Sequence, residues 1–402
     1  MGRKLLLIGL YLYALLFSVG RTLRLPNKWS ESHWMMDYRF GFIKRGLAGE
    51  IFGWFCTKDE FSILILSAVI LLLLSVFMIG IAFKETIKRE NSFYRILFFL
   101  IFFLSQYIVF SAHLIGYLDH VVFLLTLAVI YLIRKDRIFQ ASLIATVSVF
   151  IHEISLFLML PVSVFALLIF ESPKIPFLFK NILSKGMVKK MALFLILPFL
   201  SVIFISFFHE YDGTTYAFKV FNYLREIPFI PDKVAQSVTS GYTQSFSLSF
   251  QEQHKHFIQR VFISKATLFY GIPLLFLLWI TLKEFELKEN IGVFILLSVI
   301  TFIPLLLHSI AYDTYRIWTF PFMILFLGFW ILSLTDHKNA QVKNLSALET
   351  VFFVTSFLLV TLIPNVLFDG ETERFSIPVK IILVLPLFLM LYLLKKPQSK
   401  QV

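Results

Sequence analysis

A chain of 402 residues that is 58% hydrophobic, 17% aromatic and only 15% charged carries more apolar surface than a water-facing fold can bury; soluble domains hold roughly 45–50% apolar and about 25% charged residues. The composition excludes a soluble protein and points to an integral membrane protein. The formal charge of +12 comes without a nucleic-acid-binding pattern, because the basic residues flank apolar runs, and the single Cys56 excludes an intramolecular disulfide or a CxxC site.

Unbroken runs such as LILSAVILLLLSVFMIGIAF predict membrane helices, since a barrel would alternate polar and apolar positions over segments of ~10 residues. The expected fold is all-α: a polytopic helical membrane protein of about 12 spans, 11 if one long stretch is read differently. The segments are 4–20, 61–83, 96–115, 117–134, 138–151, 154–170, 191–208, 262–282, 291–309, 317–335, 350–367 and 378–394. The first follows MGRK and is bulky, without an A-x-A site, which predicts a retained helix in preference to a cleaved signal peptide.

With the N-terminus inside, the basic loops all fall on the cytoplasmic side: Lys84/Lys88/Arg89/Arg95, Arg134/Lys135/Arg137, Lys174/Lys180/Lys185/Lys189/Lys190, Lys283/Lys288, Lys338/Lys343 and Lys395/Lys396/Lys400. Adding Arg3 and Lys4, about 21 of the 37 basic residues lie inside. This predicts cytoplasmic N- and C-termini in a multi-pass cell (inner) membrane, with two long outer loops, 21–60 and 209–261. Residues 1–402 contain no repeat or soluble insert, so a single membrane domain is expected.

The first outer loop reads SESHWMMDYRFGFIKRGLAGEIFGWF. Its apolar positions Trp34, Phe40, Phe42, Ile43, Leu47, Ile51 and Phe55 recur among charged ones and predict an interfacial amphipathic helix. Lys44 and Arg45 could neutralise a lipid phosphate there, or meet anionic headgroups nonspecifically. Asp37 follows His33 by four residues, so on a helix the two would share a face, with Asp37 acting as a base or as a plain N-cap. Next, SAHLIGYLDH puts His113, Asp119 and His120 at an outer helix end, with Tyr117 as an aromatic belt residue.

Residues 138–170 are bounded by basic flanks, so 33 residues must enter the membrane and return. Each arm of ~15 residues spans about 23 Å, short of a hydrocarbon core of about 30 Å. The tip, His152-Glu153, therefore ends inside the membrane, where an ionisable pair needs a polar cavity. The alternative is one long tilted helix, which breaks the sidedness of everything downstream. Later, HSIAYDTYRIWTF places His308 and Asp313 before Arg316 at an outer helix start, where Arg suits an anionic partner or a simple pair with Asp313. No HExxH-type spacing occurs, so no cofactor is expected, and a divalent metal is a minor alternative. Most of the 49 Phe residues are expected to be lipid-facing filler.

A first helix, an outer loop with an acidic residue and an amphipathic helix, a dozen short helices and a long later outer loop resemble the GT-C fold of polyprenyl-phosphate-sugar-dependent glycosyltransferases. The resemblance implies that Asp37 is the catalytic base and that Lys44, Arg45 and Arg316 hold a lipid-linked phosphate. His152 and Glu153 are the second catalytic choice, and His33, Arg39, Asp119, His120 and Asp313 complete the expected substrate contacts. The implied partners are a polyprenyl-phosphate-linked sugar, a glycan or lipid acceptor and membrane lipids, with the site facing outside and no nucleic acid. Two rival readings stand beside it: an O-antigen-type polysaccharide polymerase or ligase, using Arg225, Lys233 and Arg260 of the second long loop, and a polysaccharide or lipid transporter or flippase.

Overall fold

The computed structural model describes residues 2–39, 41–88, 92–171, 184–209, 213–335 and 345–395, and these are all-helical. Phe40, Arg89, Lys174, Lys180, Lys338, Lys343, Lys396 and Lys400, used above to place the first-loop helix and the basic loops, lie outside the described residues. The first third of the chain forms α1 (Gly2–Thr22), α2 (Lys28–Met35), α3 (Gly46–Phe55), α4 (Glu60–Ile87), α5 (Phe93–Leu104), α6 (Gln106–His113) and α7 (Asp119–Arg134). It continues with α8 (Ile138–Ile151), α9 (Ser155–Glu171), α10 (Lys185–His209), α11 (Gly213–Arg225), α12 (Asp232–Thr243) and α13 (Phe246–Gln253). The last third adds α14 (Lys265–Glu284), α15 (Ile291–Phe302), α16 (Thr314–Ile317), α17 (Phe320–Thr335), α18 (Ala347–Thr361) and α19 (Ile377–Lys395).

Among the described residues, eight helical stretches are long and apolar enough to cross a membrane: α1, α4, α5–α6, α10, α14, α15 with its 3-10 extension to Ser309, α16–α17 and α19. The other four of the twelve expected segments fall on shorter helices, α7, α8, α9 and α18, of 16, 14, 17 and 15 residues. At 1.5 Å per residue these reach roughly 21–26 Å, less than the hydrocarbon core. Two causes are local: Asp119 and His120 occupy the first turn of α7, and α18 stops three residues before Pro364.

The centre of the bundle is α5–α6 and α17, while α4, α10 and α19 are mostly exposed and form its outside. Between helices in lipid there is no hydrophobic driving force, so close packing has to hold them together. Stacked aromatic pairs do this here: Phe98 on Phe329 at 3.9 Å and Phe102 on Phe326 at 4.3 Å between ring centroids. Phe98, Phe99, Phe102, Phe103, Phe110 and Phe123 are all buried, so these six belong to the core. At one end of the bundle, Arg95 pairs with Glu284, Lys88 with Glu85 at 2.7 Å and Lys283 with Glu349 at 3.6 Å. All six belong to segments expected on one side of the membrane.

The short hairpin expected at 138–170 is present as α8 and α9. Helix α8 ends because His152 takes an extended backbone (φ −159°, ψ 121°). The break is bridged by Ser155: its hydroxyl lies 3.0 Å from the Ser148 carbonyl and 2.8 Å from that of His152, and also touches the Ser148 hydroxyl at 2.8 Å. Irregular backbone at depth is tolerated when its polar groups are met in this way.

In contrast, the segment expected as the first outer loop is two helices, α2 and α3, joined by an irregular linker. Asn27 caps α2 by accepting from the Ser30 amide at 2.9 Å, and the helix stops at Met35 as Met36 turns extended. His33 and Asp37 therefore do not share a helical face, and Asp37 caps neither helix. Only α3 answers to the expected amphipathic helix, burying Ala48, Gly49 and Phe52 while exposing Trp54 and Phe55.

Candidate functional site

Two glycines of the RGLAGE stretch bring the linker and α3 into contact. A Cβ on Gly49 would sit 2.0 Å from the Met36 carbonyl oxygen and 2.6 Å from that of Trp34, and one on Gly46 would meet the Tyr38 and Ile43 side chains at 2.8 Å. Only a residue without a Cβ lets these backbones approach. Arg45, the residue before α3, adopts φ 62°, a left-handed conformation that L-residues seldom hold without compensation. The compensation is an ion pair, which the next paragraph places. Gly49→Ala is expected to cost about 1–3 kcal/mol, because a methyl cannot share space with two backbone carbonyls. Thermal unfolding of the purified protein in detergent measures it, with Gly80→Ala, in open space on α4, expected to show no loss.

Eight side chains from distant segments close a ring. Arg45 Nε donates to both oxygens of Glu153, at 2.9 and 2.8 Å. Glu153 Oε2 lies 3.4 Å from His152 Nδ1, and His152 Nε2 lies 3.8 Å from Asp119 Oδ1. Arg316 grips Asp119 through Nε at 2.9 Å and NH2 at 2.7 and 2.9 Å, and rests 4.8 Å over the Tyr117 ring. Tyr117 meets the His33 ring edge-on at 5.6 Å, and His33 Nδ1 lies 3.0 Å from the Tyr242 hydroxyl. Tyr242 completes the circuit beneath Arg45, at 5.6 Å.

The ring balances two guanidinium groups against two carboxylates. His152 stands between the carboxylates, each of which is held from its far side by an arginine. Burial, then the Arg45 charge, pushes His33 well below the usual histidine range, so it is neutral at neutral pH. Two charged groups flank the ring. Asp313 touches Arg316 at 3.3 Å but leaves Oδ1 buried without a partner, and burial raises its carboxyl despite Arg316. Among the described residues Lys44 has no carboxylate partner: its Nζ donates to the Gln244 carbonyl at 2.9 Å, and burial lowers its pKa to about 8 against the pull of Glu153.

Of the residues proposed from sequence, His33, Lys44, Arg45, Asp119, His152, Glu153, Asp313 and Arg316 come together in or beside this ring. His120 follows Asp119 on α7 with a buried Nδ1 that has no partner. Asp37 and Arg39 stand in a separate pair. The Asp37 carboxylate accepts from Arg39 at 2.8 Å on both oxygens and from Lys58, while Arg39 also lies 4.4 Å over the Tyr223 ring. Burial would raise the Asp37 carboxyl, but the hydrogen bonds from Arg39 and Lys58 outweigh it and hold it below the ordinary range. Tyr242 and Lys58 were not singled out in the sequence. Tyr242 did carry a signal: with Val234, Ala235 and Val238 it forms the buried stripe of α12 at helical spacing.

An apolar groove of about 550 Å³ is lined by Phe150, Leu197, Leu200, Phe204, Phe207 and Phe208 among others. Phe150 is two residues before His152. Phe42, three residues before Arg45, packs edge-on against Phe150 at 6.0 Å and Phe204 at 5.0 Å. The groove thus lies along α10, on the outside of the bundle, and Phe42, on the linker that carries Lys44 and Arg45, packs on two of its lining residues. Among the described residues no group of three His, Cys, Asp or Glu side chains is placed to hold a metal ion.

Fold and site define an all-helical membrane protein with an acid–base ring where a broken hairpin meets the α2–α3 pair of helices. No protein-family model, curated protein or solved structure matches the chain.

Proposed function

We propose that the protein is a glycosyltransferase that moves a sugar from a polyprenyl-phosphate donor to an acceptor hydroxyl. In this reading it spans the inner membrane about twelve times, with both termini cytoplasmic and the ring toward the outer face. The observation that carries the reading is an apolar groove whose lining residues Phe150 and Phe204 pack on Phe42, two residues before Lys44, a cation that has no carboxylate partner among the described residues. A long lipid tail suits the groove, and a phosphodiester carries the single negative charge that Lys44 lacks. Arg45 supplies a planar fork for the same phosphate.

The chemistry is a single displacement. The acceptor oxygen attacks the anomeric carbon, the bond from that carbon to the phosphate oxygen breaks, and the configuration inverts. Phosphate leaves with the electron pair, stabilised by Lys44 and Arg45. The acceptor proton passes to Glu153, which phosphate frees by competing for Arg45, and His152 links Glu153 to Asp119 as a path for that proton. Asp37, engaged by two cations, takes the part of a brace for the linker.

The test uses the purified protein in vesicles with labelled polyprenyl-phosphate-linked sugar, reading release of polyprenyl phosphate and labelling of the acceptor. Lys44→Ala with Arg45→Ala is expected to raise the donor KM; an unchanged KM removes the phosphate role. Transfer of whole glycans instead of single sugars selects a polymerase or ligase. A second reading draws on the carboxylate–histidine–carboxylate chain at a broken hairpin, an arrangement that suits proton-coupled transport. It predicts movement of the lipid-linked sugar across the vesicle membrane with no bond broken.

The pH profile follows from Lys44. Phosphate binding needs the ammonium form, which persists below about pH 8 and is lost above it. As kcat/KM reports the free enzyme, it should fall by about tenfold per unit once pH passes that value. Lys44→Arg, which keeps its charge, is expected to remove this alkaline fall while leaving the neutral-pH rate within severalfold.

A further inference from the structure

Beyond Tyr242 the chain leaves the ring along α13, a 3-10 turn at His254–His256 and a π-helical turn at Gln259–Ile263, then enters α14. No side chain of α13 is buried. Phe246, Leu248, Phe250, Ile258, Phe262 and Ile263 are exposed, each between 44% and 73%. Phe246, Phe250 and His254 stack face to face in a row, with centroid spacings of 6.4 and 5.0 Å. Six large apolar side chains uncovered within eighteen residues form a patch that marks a binding surface.

Both ends of this segment are tied to the ring. At the start, Lys44 donates to the Gln244 carbonyl, and the Gln244 side-chain amide donates to Glu252 at 3.0 Å. At the far end, Arg260 donates to the Ala311 carbonyl at 3.0 Å and receives the Trp318 indole N–H on its own carbonyl at 3.1 Å. Ala311 and Trp318 bracket Asp313 and Arg316. The segment therefore bridges the Lys44 side of the ring and the Arg316 side.

We infer that residues 246–263 are a membrane-embedded arm, lying in the plane of the leaflet on the ring's side with lipid as its occupant. Continuity argues for lipid over a protein partner: exposed Phe262 and Ile263 run directly into α14, whose Leu268 is also exposed and which is long and apolar enough to span. Charge agrees, since Lys255 lies between the two groups of apolar residues and Lys265 follows the second, where both suit headgroup phosphates. An arm fixed to both flanks of the ring holds the headgroup layer level with Lys44 and Arg316. An amphiphile can then reach those cations sideways from the bilayer, whichever reaction the ring performs.

Site-directed spin labelling of the full chain tests this. Cys56, which is exposed, is first replaced by Ser, and single cysteines are placed by Phe250→Cys, Phe262→Cys and, as an aqueous control on α12, Lys233→Cys. Labelled protein is reconstituted in vesicles of phosphatidylethanolamine and phosphatidylglycerol, and collisions with oxygen and with a water-soluble nickel complex are compared. The labels at 250 and 262 are expected to be oxygen-accessible and at least fivefold less accessible to nickel than the label at 233. Phe246→Cys reads the same stacked row should the 250 variant fail to fold. Nickel access at 250 or 246 equal to that at 233 overturns the arm, even with 262 shielded, because α14 alone would explain that shielding.

Discussion

Glu153→Gln is expected to lower kcat for sugar transfer by about 100- to 10,000-fold, the usual worth of a positioned general base, without raising the donor KM. The split between the two constants is what makes the result informative. Glutamine has nearly the shape of glutamate and can still accept from Arg45, so the Arg45–153 contact at 2.8–2.9 Å survives in form. What it loses is the capacity to take a proton and the charge that competes with phosphate for the guanidinium. Donor binding should therefore hold or tighten while chemistry stops. Arg45→Ala is expected to behave in the opposite sense, raising KM, because it removes a phosphate ligand and leaves Glu153 unpaired. Asp37→Asn supplies the contrast. Its carboxylate is occupied by Arg39 and Lys58, outside the ring, so the change should alter kcat only severalfold. A large loss of kcat in Asp37→Asn together with an active Glu153→Gln would return the base to the first loop and overturn the assignment to the hairpin tip.

That contrast also marks where the sequence runs out. The apolar segments were legible because a helix in lipid must satisfy its backbone internally, which forces long uninterrupted runs. The hairpin was legible for a related reason: 33 residues between two basic flanks cannot cross twice at full length. His152 and Glu153 at its tip followed from that arithmetic alone. Closure of the ring did not follow. His33 meets Tyr242 across 209 positions and Arg316 meets Asp119 across 197, and such pairs depend on how helices pack, which no local spacing encodes. The expected shared face of His33 and Asp37 fails for a local reason. Their spacing suits a helix, but α2 ends at Met35, and Trp34 is drawn aside to donate its indole N–H to the Gly116 carbonyl at 2.7 Å. The two side chains then serve different networks. Lys58, which secures Asp37, sits 21 residues away beyond α3, and only the folded linker brings it back.

The largest expected effect on stability lies at another polar knot. Glu373 holds two cations: Arg21, with Nε and NH2 each at 2.9 Å, and Lys380 at 2.6 Å. It also accepts from the Asn365 amide and side chain, both at 2.7 Å. The three charged side chains are 0%, 3% and 1% exposed for Arg21, Glu373 and Lys380, so water cannot take over when a partner is lost. Glu373→Gln leaves two buried cations with no counter-charge, and the expected cost is about 3–5 kcal/mol. Arg21 would keep the carbonyls of Val360, at 2.7 Å, and Ile363, at 3.3 Å, and at most one neutral acceptor, the glutamine amide oxygen, in place of the carboxylate. Because these groups join the end of α1 to the segments around α18 and α19, the loss should appear as a lower unfolding temperature and as early proteolysis near residues 363–376. Lys380→Met added to Glu373→Gln should recover part of it, since one of the stranded charges is removed. The neighbouring pair of Arg24 with Glu371 provides the control, being 27% and 48% exposed. Breaking it by Glu371→Gln should cost under about 1 kcal/mol, as for other solvated pairs. Equal losses from the two glutamine variants would mean that Glu373 is as well hydrated as Glu371, and that the knot is not what fastens the C-terminal segments to the first helix.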